Sequence, residues 1–342
     1  MQLLNTLYVT LPESYLRLDN DTVRLMIGEE TRLRVPLHHL GAIVCFGYVS
    51  ISSPLMHHLA EHGIALVLLD TNGRFKARLE GATSGNVLLR SAQHLTGQTA
   101  LFALSLARRI VAGKLRNQRF VLLRGARDSK DTEATQYLSR ASQNIAASIR
   151  SLPAALSLDS VRGIEGEAAR GYFAAVNQLI RADVREDFQL DGRTRRPPRD
   201  RMNALLSFLY SMCMNDCRSA CEAAGLDPQV GYLHVLRPGR ATLALDLMEE
   251  FRAVMDRLAV TLVNRMQLKA TDFVEREGGA VMLEGDARKT VVVAYQQRKQ
   301  DVVSHPLLAE SVPLGVIPLL QARLLARHIR GEIPDYVPFA MR

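Results

Sequence analysis

Hydrophobic and polar positions follow two different periods along this chain. In roughly the first eighty residues, apolar and polar residues alternate in three runs, at 15–19, 23–25 and 33–35. Such alternation is typical of half-buried β-strands. Unbroken apolar runs at 42–45 and 65–69 predict better buried strands. The beginning of the chain is therefore predicted to form a small sheet domain, with one short helix at 54–62.

From about residue 86 the period changes, and apolar residues recur at helical intervals almost to the end of the chain. The polar stretch 127–132 predicts a connection between two of these helices. Two later runs, at 280–283 and 290–293, flank Gly285 and Asp286. They predict a β-hairpin inside the helical region.

These patterns predict an α+β fold with two domains. Gly81, Ser84 and Gly85 interrupt the pattern, as expected at a domain boundary. We assign residues 1–83 to an N-terminal β domain and residues 84–342 to a larger all-α domain with an inserted β-hairpin. The length of 342 residues agrees with this division, because one hydrophobic core rarely organises so long a chain.

The composition is that of a soluble globular protein, with 47% hydrophobic and 23% charged residues. No segment approaches the roughly 20 uncharged apolar residues needed to cross a bilayer. The first five residues lack the basic and apolar regions of a secretion signal. We therefore expect a cytoplasmic protein with no membrane partner.

The charge balance is strongly basic, with 43 Lys+Arg against 35 Asp+Glu and a formal net charge of +8. An excess of this kind favours a polyanionic partner, although it is also compatible with a plain basic surface. Aromatic residues make up 6% of the chain and Trp is absent. Base stacking on single strands is therefore less favoured than contacts to the backbone of a duplex.

The four cysteines do not form a metal-binding pattern. Cys213, Cys217 and Cys221 recur every fourth residue, which places them along one stripe of a helix. Zinc sites instead use closely spaced pairs from different segments. We interpret these three and Cys45 as small apolar packing residues.

Polar residues that a core does not need occur in four segments. In the first, Glu165 lies beside a helical stripe near a predicted helix start, where the helix dipole would stabilise a carboxylate. An ordinary glutamate in the first turn of a helix is the alternative. In the second, five arginines precede a strongly apolar helix, which suits either a phosphate backbone or a solvated loop. These five are Arg193, Arg195, Arg196, Arg199 and Arg201.

The third segment ends a short apolar run with His234, closely followed by Arg237 and Arg240. In the fourth, Asp246 and Glu249 are three residues apart and therefore lie on one helix face. A structural histidine and a solvated acidic face are the simpler interpretations of these two segments.

Two or three carboxylates and one imidazole together form a ligand set that suits Mn²⁺ or Mg²⁺. The sequence contains no Walker A loop, H-E-x-x-H motif, G-x-S-x-G motif or dinucleotide fingerprint. Nucleotide hydrolases, zincins and esterases are therefore disfavoured. Only the fold could bring these ligands together, because they are far apart in sequence.

The same segments, residues 162–166, 196–208, 231–234 and 245–249, occur in an order that resembles one known family. This is the family of the CRISPR-associated integrase, the first Cas protein of spacer acquisition. The resemblance covers essentially the whole chain and is greatest to the subtype I-C branch. It implies an N-terminal β domain joined to a larger α-helical catalytic domain.

The resemblance also implies a divalent metal, Mn²⁺ or Mg²⁺, with Glu165, His234 and Glu249 as ligands and catalytic residues. Some relatives carry Asp at the position of Glu249, and Asp246 matches a further acidic position of less certain role. The implied activity is that of a metal-dependent DNA endonuclease and integrase. A DNA 3′-hydroxyl attacks a phosphodiester at the leader–repeat junction of a CRISPR array.

The implied partners are DNA, a second copy of the chain in a homodimer, and the small second Cas adaptation protein in a heterohexamer. From charge, we expect the five arginines at 193–201 to contact DNA, with Arg237 and Arg240 as second candidates. Two alternatives remain open: a catalytically silent DNA-binding scaffold of an adaptation complex, and an unrelated helical metallohydrolase that acts on small molecules.

Overall fold

The structure is a computed structural model that describes residues 5–71, 73, 75–79, 81, 86–194, 197–305, 307 and 311–341. By their contacts these residues divide into two compact units, one formed by Met1–Gly85 with Arg288–Gln296 and one formed by Asn86–Ala287 with Gln297–Arg342. The predicted boundary at residues 83 and 84 lies outside the described residues.

Eight strands and one helix build the first unit in its described N-terminal part. The strands are β1 Asn5–Val9, β2 Ser14–Asp19, β3 Thr22–Ile27, β4 Glu30–Pro36, β5 Leu40–Phe46, β6 Ser50–Ile51, β7 Ala65–Leu69 and β8 Phe75–Leu79, and the helix is α1 Ser53–Glu61. They form two four-stranded sheets in the orders β1-β5-β7-β8 and β4-β3-β2-β6. The predicted strands and short helix are confirmed.

The alternating pattern of β2 and β3 explains their pairing. They form an antiparallel hairpin in which Leu16 faces Leu25, and both side chains are buried. The apolar run in β5 pairs in parallel with β1 and β7. Ile43 from β5 and Leu66 from β7 join the same core cluster, which gives the unit its own hydrophobic centre.

The second unit is mainly helical. Its helices are α2 Val87–Gln98, α3 Ala100–Asp128, α4 Thr132–Ser151, α5 Leu158–Val176, α6 Ala182–Phe188, α7 Arg201–Ala223, α8 Thr242–Met248, α9 Arg252–Asn264, α10 Gly285–Gln300 (whose middle belongs to the first unit) and α11 Ile317–Ile329. Its strands are β9 Phe273–Arg276, β10 Ala280–Leu283, β11 Val302–Ser304 and β12 Ser311–Pro313. The predicted α+β architecture is confirmed.

The predicted hairpin is present, but one of its strands was wrongly assigned. β10 pairs antiparallel with β9 rather than with residues 290–293. Gly278 and Gly279 have φ values of +82° and +72° and make the turn between the two strands. Residues 290–293 lie in α10, where Ala287, Val291 and Tyr295 are buried at helical spacing. Packing of this face outweighs the β-propensity of the valines.

The connection predicted at residues 127–132 joins α3 to α4. Asp131 caps α4, because its carboxylate accepts hydrogen bonds from the backbone N–H groups of Glu133 and Ala134. The two helices pack against each other along their length.

α7 carries the cysteine stripe through the core. Cys213, Cys217 and Cys221 are buried free thiols, as is Cys45 in the first unit. Burial raises the pKa of the Cys217 and Cys221 thiols well above the ordinary range. The prediction that they pack as apolar residues is confirmed.

Among the described residues, no helix combines the length and the apolar character that crossing a bilayer requires.

Candidate active site

Glu165 is held on the inner side of α5. Ser157 caps this helix by accepting a hydrogen bond from the backbone N–H of Ser160. Val161, Ala168 and Tyr172 are buried at helical spacing, and Glu165 lies between them on the same stripe. Its side chain is 26% exposed. Glu165 lies about two turns from the start of α5, so the predicted stabilisation by the helix dipole, which acts within the first turn, is wrong.

Asp246 fixes the segment that carries His234. Its fully buried carboxylate accepts hydrogen bonds from the backbone N–H groups of Tyr232, Leu233 and His234. A Cβ atom on Gly231 would lie 2.6 Å from the Asp246 Oδ2 atom. Glycine at this position therefore lets the loop close onto α8.

The same carboxylate sets the tautomer of His234. Nδ1 lies 2.7 Å from Asp246 Oδ1, and because an ionised carboxylate only accepts, Nδ1 carries the proton. Nε2 then presents its lone pair, 3.6 Å from Glu249 Oε1. The ring is 24% exposed. A histidine oriented by a carboxylate in this way is typical of metal ligands.

Glu249 lies in the turn between α8 and α9 and is 3% exposed. The predicted solvated acidic face is wrong, because Asp246 and Glu249 are both buried. The sequence pattern marks Leu247, Phe251 and Val254 correctly as buried, but it does not show that the helix is interrupted after Met248.

Lys114 on α3 lies at the candidate site and was not identified from the sequence. It is 4% exposed, and its ammonium group forms an ion pair with Glu165 and lies 2.6 Å from Glu249 Oε2. The sequence feature that could have revealed it is a lysine in the buried stripe of a long helix, one turn after Ile110 and one turn before Gln118. Lys114 thus joins the two candidate ligands from separate helices.

Charges around Glu249 keep it ionised. Burial alone would raise the pKa of its carboxyl group, but Arg252, Lys114 and His234 outweigh burial and lower it below the ordinary range. Arg252 donates from Nε to Glu249 Oε1 at 2.7 Å, and its guanidinium also lies over the Tyr210 ring. Tyr210 in turn donates to Asp256.

A second buried carboxylate, Glu250, ties the end of the chain to this turn. It accepts hydrogen bonds from the Tyr336 hydroxyl, the Gln321 amide and the backbone N–H of Phe339. Burial raises its pKa to about 7, although these three donors lower it. Sequence analysis did not identify this network, because its members are far apart along the chain.

The ligand types at this site fit a hard divalent cation. Glu165 and Glu249 offer two carboxylates that share the Lys114 ammonium group, and the His234 Nε2 atom lies 3.6 Å from Glu249 Oε1. Within the part of the chain that the structure describes, no three His, Cys, Asp or Glu side chains could hold a metal ion as they are arranged. The ammonium group must therefore leave before one cation can bind both carboxylates.

The predicted DNA-contacting arginines do not share one environment. Arg193 is half-buried, with its guanidinium on Asn203 and Ser207, so its expected exposure is wrong. The apolar helix that follows it supplies these polar partners. Arg201 is also half-buried and donates to the Asp187 carbonyl.

Arg199 is exposed and donates to the Gly278 carbonyl. Arg237 is exposed and Arg240 is half-buried, both just beyond the loop of the candidate histidine. Arg195 and Arg196 lie outside the described residues.

Comparison with known proteins finds relatives over nearly the whole chain. The sequence profile of a family described as "CRISPR associated protein Cas1" matches residues 7–297. The chain is 52% identical to the CRISPR-associated endonuclease Cas1 1 of Moorella thermoacetica over 341 residues, which covers 99% of both chains.

Two solved structures share the fold. One is a casposase bound to its integration product, with a TM-score of 0.82 and 19% identity over 98% of this chain and 93% of that one. The other is a Cas6-RT-Cas1–Cas2 complex, with a TM-score of 0.83 and 24% identity over 99% of this chain but 36% of the longer chain. The chain therefore belongs to the Cas1 family of CRISPR-associated proteins.

Proposed function

We propose that this protein is a divalent-metal-dependent DNA integrase and endonuclease that inserts new spacers into a CRISPR array. The observation that carries the proposal is the convergence of Glu165, His234 and Glu249 from three separate segments. Membership of the Cas1 family and the name of the 52% identical relative, an endonuclease, support it.

Glu165, His234 and Glu249 would hold a Mn²⁺ or Mg²⁺ ion once Lys114 has left the two carboxylates. When bound, such an ion polarises the scissile phosphate and stabilises charge on the attacking or leaving oxygen. Asp246 keeps the proton of His234 on Nδ1 and so keeps Nε2 free to bind. Arg252 holds the Glu249 carboxylate in place.

The reaction that fits this site is phosphoryl transfer between DNA strands. The 3′-hydroxyl of a captured DNA fragment attacks the phosphodiester at the leader–repeat junction. The new phosphodiester joins the fragment to the 5′ end of the repeat strand, the leader–repeat phosphodiester breaks, and the leader strand leaves with a free 3′-hydroxyl. With water in place of the 3′-hydroxyl, the same site would cut DNA as an endonuclease. No protein nucleophile is needed for either step.

We also propose the setting in which this reaction takes place. The protein acts in the cytoplasm as a homodimer, and two dimers assemble with the small second Cas adaptation protein into a heterohexamer on DNA. The system is of subtype I-C. The fold that the chain shares with the Cas1 part of a Cas6-RT-Cas1–Cas2 complex is compatible with this assembly.

The experiment is a strand-transfer assay with a labelled DNA fragment, a leader–repeat duplex and the purified partner protein, in Mn²⁺ or in EDTA. We expect joining in Mn²⁺ alone, and a loss of at least about 100-fold in Glu165→Gln, His234→Ala and Glu249→Gln, because even changes behind metal ligands cost 10–100-fold. Glu167→Gln, an exposed position on the same helix, is the matched control and should retain activity.

Joining in EDTA, or full joining in all three variants, would contradict the proposal. DNA binding without any Mn²⁺-dependent joining by the wild type would favour a catalytically silent scaffold instead.

A further inference from the structure

The net positive charge of this chain is concentrated in one helical pair. Residues 100–151, which comprise α3, α4 and their connection, contain ten arginines and lysines against three aspartates and glutamates. This segment therefore has a net charge of +7, compared with +8 for the entire chain. The arginines predicted from the sequence to contact DNA all lie outside this segment.

Two adjoining surface cavities lie along this helical pair. The first has a volume of about 350 Å³ and is lined by Arg116, Arg119, Arg150 and two apolar residues. The second, of about 280 Å³, shares Arg116 with the first and adds Arg108 and Arg109. We call this continuous surface, defined by these five arginines, the arginine groove.

The guanidinium groups of the groove differ in their partners. Arg108 donates to the Ala155 carbonyl, and Arg109 forms an ion pair with Asp335. Arg116, Arg119 and Arg150 are exposed, and none of them forms a hydrogen bond or ion pair with the described part of the chain. Among the described residues, no acidic side chain lines either cavity. Three charges in the groove are therefore uncompensated and attract an anion.

The length of the groove favours a polyanion over a single phosphate. Arg108 and Arg119 are eleven residues apart on α3, which is about 16 Å at 1.5 Å per residue. Phosphates of one strand of a DNA duplex follow each other at about 3.4 Å along the helix axis. The groove can thus lie along about five phosphates. Ala146 and Ile149 also line the groove. Their apolar side chains do not pair with the guanidinium groups, which stay accessible to phosphates.

The groove and the candidate active site use two faces of the same helix. Lys114, between Arg109 and Arg116 in sequence, turns inward to Glu165 and Glu249. An α-helix with its side chains is about 10 Å across. A strand held in the groove would therefore be anchored close to the site without occupying it.

We propose that the arginine groove binds the phosphate backbone of DNA and anchors the substrate beside the active site. This inference rests on the proposed function, from which we take that the nucleic acid is DNA. Recognition through phosphates would be independent of sequence, because phosphate contacts carry no sequence information.

The test is DNA binding by the full-length protein in EDTA, measured by fluorescence anisotropy with a labelled duplex over a range of salt concentrations. The variant Arg116→Ala/Arg119→Ala/Arg150→Ala should weaken binding by at least about tenfold at low salt. It should also reduce the slope of log K against log salt by about 2–3, close to 1 for each lost phosphate contact.

Two matched variants distinguish the loss of contacts in the groove from the loss of net positive charge. The triple Arg→Lys variant at the same positions keeps the charge and should retain most of the binding. A control that replaces Arg127, Arg170 and Arg265 with alanine removes the same charge from exposed positions outside the groove. Its salt slope should stay close to that of the wild type.

An unchanged salt slope in the groove triple-alanine variant would overturn the inference and leave the proposed function standing. The same holds if that variant binds DNA normally but fails to bind the acidic surface of a partner protein. Failure of the wild type to bind any duplex at low salt would overturn the proposed function, and the inference with it.

Discussion

Lys114 places an almost completely buried positive charge between two carboxylates. A buried charge is costly unless it is paired, and the removal of one partner leaves the others uncompensated. Its ion pairs with Glu165 and Glu249 thus stabilise the junction of α3, α5 and the turn before α9. They also hold together the two carboxylates that we propose as metal ligands.

We predict that Lys114→Met lowers the free energy of unfolding by about 3 kcal/mol in EDTA, because Glu165 and Glu249 lose their shared cation. Millimolar Mn²⁺ should recover part of this loss and should stabilise the variant more than the wild type, since the competing ammonium group is gone. Urea unfolding with and without Mn²⁺ measures both effects.

The matched control is Arg119→Met, an exposed position on the same helix, which should change stability little. Equal stability of Lys114→Met and the wild type in EDTA would show that the ammonium group is not held between the carboxylates.

Asp256 is a buried acid that is linked to the site through Tyr210 and Arg252. Burial raises its pKa to about 6, although hydrogen bonds and nearby arginines lower it. Because the folded protein holds this proton more tightly than the unfolded chain does, the contribution of Asp256 to stability is complete at low pH. It is lost as pH rises through the folded pKa.

We predict that the stability of the wild type relative to Asp256→Asn falls by about 2 kcal/mol between about pH 4 and pH 7, since the asparagine does not titrate. Thermal or urea unfolding of both proteins across this range measures the difference. Parallel stability curves would show that Asp256 titrates as an ordinary exposed aspartate.

At the level of elements, the loop at 231–234 depends on α8 for its shape. Asp246 accepts three backbone hydrogen bonds and one ring hydrogen bond from this loop. We predict that Asp246→Asn reduces Mn²⁺-dependent strand transfer by about 10–100-fold. The amide cannot accept at both of its heavy atoms, so His234 loses its fixed orientation.

Mn²⁺ affinity, measured by electron paramagnetic resonance, should fall in Asp246→Asn together with activity. Loss of activity at full Mn²⁺ affinity would mean that Asp246 does not act through His234.

The chain end approaches α3 closely at one glycine. A Cβ atom on Gly113 would lie 2.6 Å from Pro338 Cβ, so Gly113→Ala must displace the segment that Glu250 anchors. We predict a loss of about 1–3 kcal/mol. Gly171→Ala in α5, where a Cβ atom meets nothing within 4 Å, should instead stabilise the protein by about 0.5–1 kcal/mol. Thermal unfolding compares the two.

If Gly113→Ala is as stable as Gly171→Ala, the chain end does not pack on α3 in the way described.

The sequence predicts the secondary-structure elements better than it predicts which elements and side chains pack together. The alternation of apolar and polar residues located β2 and β3, and the helical spacing of apolar residues located α3 and α4, because both signals are local. The strand expected at residues 290–293 was wrong, since its valines are β-formers whose helical state depends on the packing of α10. Burial of Asp246 and Glu249 was also missed, because apolar periodicity gives no information on the partners of a carboxylate.

At the scale of the molecule, the candidate site could be assembled from sequence only through family resemblance. Glu165, His234 and Glu249 come from distant segments, and no local pattern joins them. The basic character was predictable, but its location was not: Arg193 turns inward, whereas the charge is concentrated at residues 100–151. A count of charged residues in each segment would have revealed this concentration of positive charge.

The central claim is that Glu165, His234 and Glu249 form one divalent-cation site. Its most direct test is a Mn²⁺ titration followed by electron paramagnetic resonance on the wild type, Glu165→Gln, His234→Asn, Glu249→Gln and the control Glu167→Gln. We expect one bound Mn²⁺ per wild-type and control chain, and at least about tenfold weaker binding in each of the other three. Equal Mn²⁺ affinity in all five proteins would contradict it.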